Sequence, residues 1–404
     1  MAILLNKGQC RILEACKKWF RKQDKQVFKI TGYAGTGKST IVFKLIEELG
    51  LDSKTEVLFV TYVGKATLAL RKNGLLAKTI HSAFYYREEE YVMAPDGLPI
   101  LLPNGRYKKK GTFKLKKEID PNIKLIVIDE AGMVPKNMSD DLKSFNLPII
   151  ALGDPGQLLP IFGKSDLLIK PDGFLTEVVR QKEDDPILLL ATMARNQQDI
   201  PLGKYGSRCY VVDDTILRRP EIYTKPSMVL CGKNKTRENI NRIVREQIKH
   251  FDTDMPQFGD KLVCRKNNWD IEIDDIALIN GLFGYITNIY DYSFNGSSIN
   301  IDFMPECLPD KWYEDISLNY EYLNMEYSER KEYNTMYSKS NVFEYGYAST
   351  VHLAQGSEYP YVMMIEEPMG DASFQSKMLY TGITRASNTL ILVRPKLKAK
   401  SFFF

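Results

Sequence analysis

Eight residues from Gly32 to Ser39 have the types and spacing needed to bind the phosphates of a nucleotide. They read Gly-Tyr-Ala-Gly-Thr-Gly-Lys-Ser, the G-x-x-x-x-G-K-[ST] spacing of a phosphate-binding loop. The glycines let backbone N–H groups approach phosphate oxygens, Lys38 is expected to reach the β- and γ-phosphates, and the Ser39 hydroxyl to bind Mg²⁺. The alternative is a chance glycine-rich turn before a helix. The predicted nucleotide-binding residues are Gly32, Gly35, Thr36, Gly37, Lys38, Ser39 and Thr40.

Two adjacent carboxylates follow an apolar run further along the chain. Asp129 and Glu130 come directly after Leu-Ile-Val-Ile, a pattern typical of a buried strand that ends at an ATP site. Asp129 is expected to hold Mg²⁺ and Glu130 to orient and activate the water that attacks the γ-phosphate. Gln157 follows the next apolar run and can sense the γ-phosphate, while Arg180 can supply positive charge to the transition state.

These residues need a scaffold that brings strand ends together. A β-prone segment at 26–30 precedes the loop, and apolar residues at helical spacing follow it over 40–49. Further strands are predicted at 56–62, 124–129 and 147–153. Because strands alternate with helices, the fold class is α/β with a doubly wound parallel sheet.

An amphipathic helix is predicted over residues 1–22, upstream of the loop. It carries Gln9, whose amide offers one donor and one acceptor and therefore suits recognition of adenine. The alternative, a solvated helix glutamine, stays open on the sequence alone.

The second half of the chain repeats an α/β pattern around a mainly β segment. The pattern begins near residue 186, becomes β-rich over 259–344 and resumes at 345. A helix over 377–386 ends with Thr384 and Arg385, and the arginine is expected to reach out of the helix.

A segment of different composition lies at 85–118, next to small polar residues. Turn signals and a basic stretch at 106–117 predict an inserted hairpin, whose lysines either form a solvated face or neutralise phosphates. Just before it, Thr79 and His81 suit contact with a phosphodiester backbone, although an isolated histidine is more often an ordinary packed one.

Composition limits the class of protein without deciding it. The net charge of +4 permits a nucleic-acid partner, and six scattered cysteines without a C-x-x-C pair argue against structural zinc and for a reduced compartment. No signal-peptide core or membrane-length apolar stretch occurs in the sequence. An intracellular location and no membrane partner are therefore expected.

Taken in order, these stretches resemble superfamily 1 DNA helicases, and within them the RecD/Pif1-like group that includes the small Dda-type helicases of tailed phages. The motifs cover nearly the whole chain. The matching positions are Gln9, Lys38, Ser39, Asp129, Glu130, Gly153, Asp154, Gln157, Arg180, Thr350, His352, Gln355, Gly356, Glu358, Thr384 and Arg385. Two positions depart from the family pattern: Leu353 replaces a lysine, and Val63 stands where a threonine is common.

The resemblance implies two RecA-like domains that clamp ATP between them. It assigns 1–84 with 119–180 to domain 1A, 85–118 to a pin-bearing domain 1B, 181–258 with 345–404 to domain 2A, and 259–344 to an SH3-like domain 2B. It implies that Arg180 and Arg385 meet the γ-phosphate from opposite sides. Gly356 and Glu358 join the predicted nucleotide site, and the predicted DNA contacts are Lys65, Thr79, His81, Thr350 and His352.

The implied function is an ATP-dependent DNA helicase that moves 5′→3′ on single-stranded DNA and separates duplex DNA, with ATP and Mg²⁺ as cofactors. The resemblance implies that the substrates are single-stranded DNA and single-strand/duplex junctions and that the protein is a monomer. It also implies a cytoplasmic location in a bacterial or phage-infected cell and a role in replication, recombination or repair, with proteins of those processes as partners. The alternatives are a single-strand translocase that displaces proteins, and a nucleic-acid-dependent NTPase switch or loader.

Overall fold

The computed structural model describes residues 5–62, 64–72, 74–91, 93–94, 96–99, 109–158, 165–179, 184–251, 253–273, 276–290, 297–333, 338 and 340–396. The chain divides into two compact units. The first comprises residues 1–155 and 159–177, and the second comprises residues 156–158 and 178–404.

The first unit is built on a six-stranded sheet in which every strand pairing is parallel. Its strand order is β3-β2-β6-β7-β1-β8, and β4 and β5 form a separate antiparallel pair. The strands are β1 (Val27–Gly32), β2 (Val57–Thr61), β3 (Ala77–Thr79), β4 (Tyr85–Tyr91), β5 (Lys109–Leu115), β6 (Leu125–Asp129), β7 (Ile149–Gly153) and β8 (Gly173–Leu175). The helices are α1 (Lys7–Lys22), α2 (Lys38–Leu49), α3 (Gly64–Lys72), α4 (Ile80–Phe84) and α5 (Lys136–Lys143).

Apolar layers on both faces hold this sheet. The helices α1 and α2 contribute to the core cluster on one face, and α4 and α5 to the cluster on the other. A parallel sheet covered on both faces requires nearly continuous apolar strands, and all five residues of β2 and of β7 are buried. The predicted α/β class with a parallel sheet is therefore confirmed.

The second unit contains another six-stranded sheet, ordered β19-β11-β20-β21-β10-β9, in which only the edge strand β9 is antiparallel. The strands of this sheet are β9 (Gly203–Tyr205), β10 (Cys209–Asp213), β11 (Met228–Cys231), β19 (Ala348–Thr350), β20 (Tyr359–Ile365) and β21 (Ala386–Arg394). The helices of the unit are α6 (Pro186–Arg195), α7 (Asn234–Arg242), α8 (Tyr320–Asn324), α9 (Tyr327–Glu332) and α10 (Ala372–Ile383).

The β-rich segment predicted over 259–344 contains a five-stranded antiparallel sheet, ordered β17-β16-β15-β12-β18, and a short antiparallel pair, β13-β14. An SH3-like barrel remains a prediction for this segment. The strands are β12 (Lys261–Cys264), β13 (Asn268–Ile273), β14 (Ile276–Leu278), β15 (Phe283–Tyr290), β16 (Ser298–Pro305), β17 (Tyr313–Asn319) and β18 (Phe343–Tyr345).

Buried polar contacts attach the antiparallel sheet to α7. The Arg237 guanidinium, 2% exposed, forms an ion pair with Glu344 in β18. One helical turn on, the Asn241 amide donates to the Tyr345 carbonyl and accepts from the Ala348 N–H, both at 2.7 Å. Because a buried charge or amide without its partner is costly, these contacts fix where the chain leaves the antiparallel sheet for β19.

The helical segment that begins with α7 differs in its second half. After α7 ends at Arg242, residues Ile243–Ile248 form a π-helical turn. There the Lys249 N–H donates to the Val244 carbonyl, five residues back, at 3.0 Å. Within the described residues, no helix has the length and apolar character to cross a membrane, and no cluster of three metal-ligating side chains occurs.

Candidate nucleotide and nucleic-acid sites

The Gly32–Ser39 loop connects the C-terminal end of β1 to the first turn of α2, the position from which helix N–H groups can face an anion. Gly35 and Gly37 have φ angles of 74° and 78°, a left-handed conformation that side chains with a Cβ adopt only with strain. A Cβ on Gly32 would lie 2.8 Å from the Leu175 Cβ. The loop therefore needs glycine for both conformation and space.

Lys38 spans this loop. Its Nζ donates to the Gly32 carbonyl at 2.7 Å and to the Tyr33 carbonyl at 3.1 Å. The Thr36 hydroxyl donates to the same Tyr33 carbonyl at 2.8 Å, and Ser39 is exposed at the start of α2. The ammonium group is thus held over the loop, where it can exchange carbonyl partners for phosphate oxygens.

The predicted carboxylates lie at the same edge of the sheet as the loop. Asp129 is the last residue of β6, and β7 alone separates β6 from β1 in the strand order. Burial and then the Glu130 carboxylate raise the pKa of Asp129 to about 6, while the Lys38 charge opposes the shift. The strand order brings the start of α2, with Lys38, and the Asp129 carboxylate to the same edge of the sheet.

Glu130 has an uncommon backbone conformation. Its φ is 51°, in the left-handed region, and its N–H donates to Asp129 Oδ1 at 3.0 Å. A non-glycine residue held there costs on the order of 1–2 kcal/mol, and such strain is concentrated at functional positions. The strain and the local hydrogen bond turn the chain sharply after β6, so that two successive carboxylates lie at one strand end.

A divalent cation fits the donors at this edge. Asp129 and Ser39 offer the hard oxygen ligands that Mg²⁺ prefers, and burial together with the Glu130 carboxylate raises the pKa of the Asp129 carboxyl. Because burial disfavours the charged form of the Asp129 carboxyl, a bound cation would stabilise that form.

Gln9 is buried against the loop, so the solvated alternative is wrong. Its side chain is 2% exposed, its Oε1 accepts from the Asn6 N–H at 2.9 Å, and its Nε2 donates to the Thr36 carbonyl at 3.1 Å. The first contact belongs to a capping box that starts α1. One end of the amide therefore completes the cap of α1 and the other end holds the loop, and recognition of adenine by Gln9 stays a prediction.

His81 lies in an aromatic cluster at the base of the β4–β5 pair. Its ring centroid is 4.9 Å from that of Phe113, 5.7 Å from that of Tyr85 and 6.3 Å from that of Tyr62, and burial lowers its pKa. The ring is packed, as the ordinary interpretation of an isolated histidine expects, but it is only half-buried. Contact of His81 with DNA therefore stays a prediction. Sequence reasoning missed Phe113, because the position of this residue beside Arg87 depends on the pairing of β5 with β4.

Thr79 and two of the lysines have local roles in the first unit. Thr79 caps α4 by accepting from the Ser82 N–H at 3.1 Å. Lys116 donates to the Ser82 and Ala83 carbonyls at 2.9 and 3.0 Å, and Lys114 pairs with Glu88 and Glu90 across the strands. Lys114 is 46% exposed, as on a solvated face, whereas Lys116 is half-buried, and contact of either lysine with phosphates stays a prediction. Lys65 lies in α3.

The second unit brings its predicted residues together around the turn after β19. Thr350 ends β19 and its Oγ1 accepts from the Leu353 N–H at 3.4 Å, while the His352 ring stacks on Phe374 with centroids 6.1 Å apart. Gly356 has a φ of 71° and Glu358 is exposed.

Arg385 does not extend from its helix as expected. It is 7% exposed, and its Nε donates to the Thr381 carbonyl and its Nη1 to the Ser357 carbonyl, both at 3.1 Å. The physical reason is that α10 ends just before Arg385, which leaves the Thr381 carbonyl available for the guanidinium. Gln157 follows β7 and is half-buried, and Arg180 lies outside the described residues.

Two family models match the chain. The model described as "AAA domain" matches residues 4–212, and that of the "UvrD-like helicase C-terminal domain" matches residues 345–393. The first covers the loop and the strand-end carboxylates, and the second covers the turn after β19 and Arg385.

A curated relative is the ATP-dependent DNA helicase dda of Enterobacteria phage T4, 26% identical over 256 residues. The match covers 58% of this chain and 54% of the relative, so the chain spans about half the length of the curated relative it matches.

Solved structures of Pif1 helicases have the same fold. A structure of two Pif1 helicases at forked dsDNA has 15% identity and a TM-score of 0.53, and Bacteroides Pif1 in complex with ADP-AlF3 and ssDNA has 15% identity and a TM-score of 0.50. Each match covers 97% of this chain and 92% of the other. The resemblance to the Pif1/Dda-like helicases that the motifs predict is confirmed.

Proposed function

The chain belongs to the AAA domain family, and on that premise we propose that it is an ATP-dependent DNA helicase, which translocates on single-stranded DNA and separates duplex DNA. One observation carries the proposal: the lysine of a phosphate-binding loop and two successive strand-end carboxylates lie at one edge of a parallel sheet. A nucleic-acid-dependent NTPase switch or loader has the same kind of nucleotide site, so this observation alone does not distinguish it from a motor. The match to a helicase C-terminal domain model over 345–393 favours the motor.

The residues of the first unit have distinct roles in hydrolysis. Backbone N–H groups of the Gly32–Ser39 loop bind the phosphates, and Lys38 leaves the loop carbonyls to contact the β- and γ-phosphates. Glu130 orients the attacking water and accepts its proton, and Gln157 senses the γ-phosphate. Mg²⁺ held by Ser39 and Asp129 would neutralise phosphate charge when bound.

Arg180 and Arg385 are proposed to stabilise the charge on the transferring phosphoryl group. An arginine in this role contributes about 10³–10⁵ in turnover. For Arg385 this requires the guanidinium to exchange the Thr381 and Ser357 carbonyls for phosphate oxygens. The exchange is favourable because charge-assisted hydrogen bonds to an anion are stronger than those to a neutral carbonyl.

DNA is proposed to bind through Lys65, Thr79 and His81 in the first unit, and through Thr350 and His352 in the second. The aromatic cluster around His81 offers ring faces for base stacking, which tolerates any sequence. A motor that moves along DNA needs this tolerance, because each step presents different bases.

The experiment that tests the proposal is ATP-dependent strand displacement on two substrates, one with a 5′ and one with a 3′ single-stranded tail. We expect displacement from the 5′-tailed substrate alone, which is the 5′→3′ direction that the family resemblance implies. Displacement from the 3′ tail alone would keep the motor and reverse its direction. DNA-stimulated hydrolysis without displacement from either tail would instead favour a single-strand translocase.

Replacement of residues 90–115 by a short Gly-Ser linker should abolish strand displacement and leave DNA-stimulated ATP hydrolysis within about threefold of wild type. The physical reason is that the ATP site is assembled from β1, β6 and β7, none of which pairs with β4 or β5. The measurement is displacement of the 5′-tailed strand, with hydrolysis on single-stranded DNA as the internal control. Displacement at the wild-type rate would reject the proposal that this segment carries the pin, the hairpin that splits the duplex.

A further inference from the structure

The β4–β5 hairpin extends from the first unit as a two-stranded ribbon. Within the described residues, β4 and β5 pair with each other and neither strand belongs to the six-stranded sheet. A two-stranded hairpin is at best marginally stable by itself in water, so contacts at its base have to set its direction. The base is the first strand pair, Tyr85 with Leu115, and β4 begins there directly after α4.

The C-terminal end of α5 holds the start of β4. The Tyr85 hydroxyl donates to Asp141 Oδ2 at 2.6 Å, and the Phe84 ring lies against the Phe145 ring with centroids 5.2 Å apart. Asp141 lies in the last turn of α5, and Phe145 follows the end of that helix. Two successive residues, the last of α4 and the first of β4, are therefore attached to the same end of α5.

The returning strand is attached to a different helix. After β5, the Lys116 N–H donates to the Phe84 carbonyl at 2.8 Å, and Lys116 Nζ donates to the Ser82 and Ala83 carbonyls. These contacts fix the hairpin relative to α4, whereas the Tyr85 hydroxyl fixes it relative to α5. The direction of the ribbon is thus set by two helices.

The helix α5 is a firm support for this hydrogen bond. Met138 and Leu142 of α5 are buried in the apolar cluster on one face of the parallel sheet, and Phe84 belongs to the same cluster. Burial, and then the hydrogen bond to Asp141, raises the pKa of the half-buried Tyr85 hydroxyl, which therefore stays a donor at neutral pH. A phenol that donates to a carboxylate forms a stronger hydrogen bond than two neutral groups do.

We propose that Tyr85 and Asp141 are positioning residues for strand separation, because their hydrogen bond keeps the β4–β5 hairpin from yielding when a duplex is driven against it. This inference rests on the proposed function, in which the 85–118 segment carries the pin. A hairpin that turns about its base moves aside instead of opening base pairs. The ATP site is assembled from β1, β6 and β7 and contains neither residue, so loss of the hydrogen bond separates strand opening from ATP hydrolysis.

Two variants that each remove one partner test the inference. Tyr85→Phe removes only the hydroxyl, and Asp141→Ala removes its acceptor. On the tailed substrate that the wild type unwinds, we expect each to lower the rate of strand displacement about fivefold and to leave hydrolysis on single-stranded DNA within about twofold of wild type. The double variant should be no slower than the slower single one, because both changes remove the same hydrogen bond.

The stability of the duplex distinguishes positioning from a general weakening of the first unit. The loss of displacement should be greater on a G·C-rich duplex than on an A·T-rich duplex of the same length, because more stable base pairs resist the hairpin more strongly. A general weakening would instead lower hydrolysis together with displacement, and it would do so equally on both duplexes. That pattern would overturn the inference.

Matched controls lie next to both partners. Tyr86→Phe removes the same hydroxyl from the following residue of β4, which is 47% exposed, and should displace strands at the wild-type rate. Asp141→Asn keeps an acceptor oxygen and should retain most of the displacement.

Displacement within twofold of wild type by both Tyr85→Phe and Asp141→Ala on the G·C-rich duplex would overturn the inference. If Asp141→Ala does not fold, Tyr85→Phe decides. A wild-type chain that hydrolyses ATP on DNA and displaces no strand from either tail would overturn the proposed function itself.

Discussion

Lys38→Ala is expected to abolish ATP hydrolysis, lowering turnover at least about a thousandfold. Loss of a single preorganised donor at developing charge already costs about 10²–10³ in rate, and Lys38 supplies a full charge at the phosphates. The lysine lies over the Gly32 and Tyr33 carbonyls, so its loss leaves the glycine loop with backbone donors but without a cation. The measurement is phosphate release in the presence of single-stranded DNA.

A matched control for this variant lies on the same helix. Lys44 is one to two turns further along α2 and pairs with Glu47 at 2.9 Å on the solvent side. Lys44→Ala should hydrolyse ATP at the wild-type rate, which separates the loss of a catalytic charge from a general weakening of α2. Hydrolysis by Lys38→Ala at the rate of Lys44→Ala would remove the loop from the proposed mechanism, and with it the assignment of the ATP site.

The features that sequence reasoning predicted are those encoded locally. Glycine spacing, four apolar residues before Asp129, and the alternation of strands with helices are sufficient because each motif lies at the end of its own strand in a parallel sheet. Once β1, β6 and β7 are placed side by side, Lys38 and Asp129 must lie at one edge. The order of the motifs along the chain is therefore sufficient to predict which residues meet at the ends of the strands.

The features that sequence reasoning did not predict depend on partners far away in the chain. Arg385 was expected to extend from its helix, but the Ser357 carbonyl, 28 residues upstream, accepts from its guanidinium. Similarly, the amide of Gln9 is engaged by Thr36, and the ring of Phe113 meets His81 only after β4 and β5 pair. No local pattern encodes such contacts, because the hydrogen-bonding groups concerned belong to the backbone or to unremarkable positions.

The conformation of Glu130 was also not predicted, and it bears on the catalytic role proposed for this residue. Its left-handed φ of 51° has no signal in the sequence, since glycine or asparagine would be expected there. A glutamate at such a position pays a conformational cost that the fold compensates elsewhere. Because such strain is concentrated at functional positions, a carboxylate where glycine would relieve the strain supports the role proposed for the Glu130 side chain.

Glu130→Gln should therefore bind ATP with nearly unchanged affinity and hydrolyse it about 10²–10⁴-fold more slowly, the usual contribution of a positioned general base. Glutamine has the same length and the same backbone cost in the left-handed region, so the substitution removes the proton acceptor and little else. The measurements are equilibrium binding of ATP and single-turnover hydrolysis with single-stranded DNA present.

The two measurements on Glu130→Gln distinguish the chemical step from a change of charge next to Asp129. Loss of the Glu130 charge also removes a repulsion that helps to raise the pKa of Asp129, so nucleotide binding should not weaken. Glu118→Gln, which removes an exposed carboxylate before β6, should leave both measurements unchanged. Normal single-turnover hydrolysis by Glu130→Gln would show that another group activates the water, whereas lost ATP binding would assign Glu130 to the nucleotide site rather than to the chemical step.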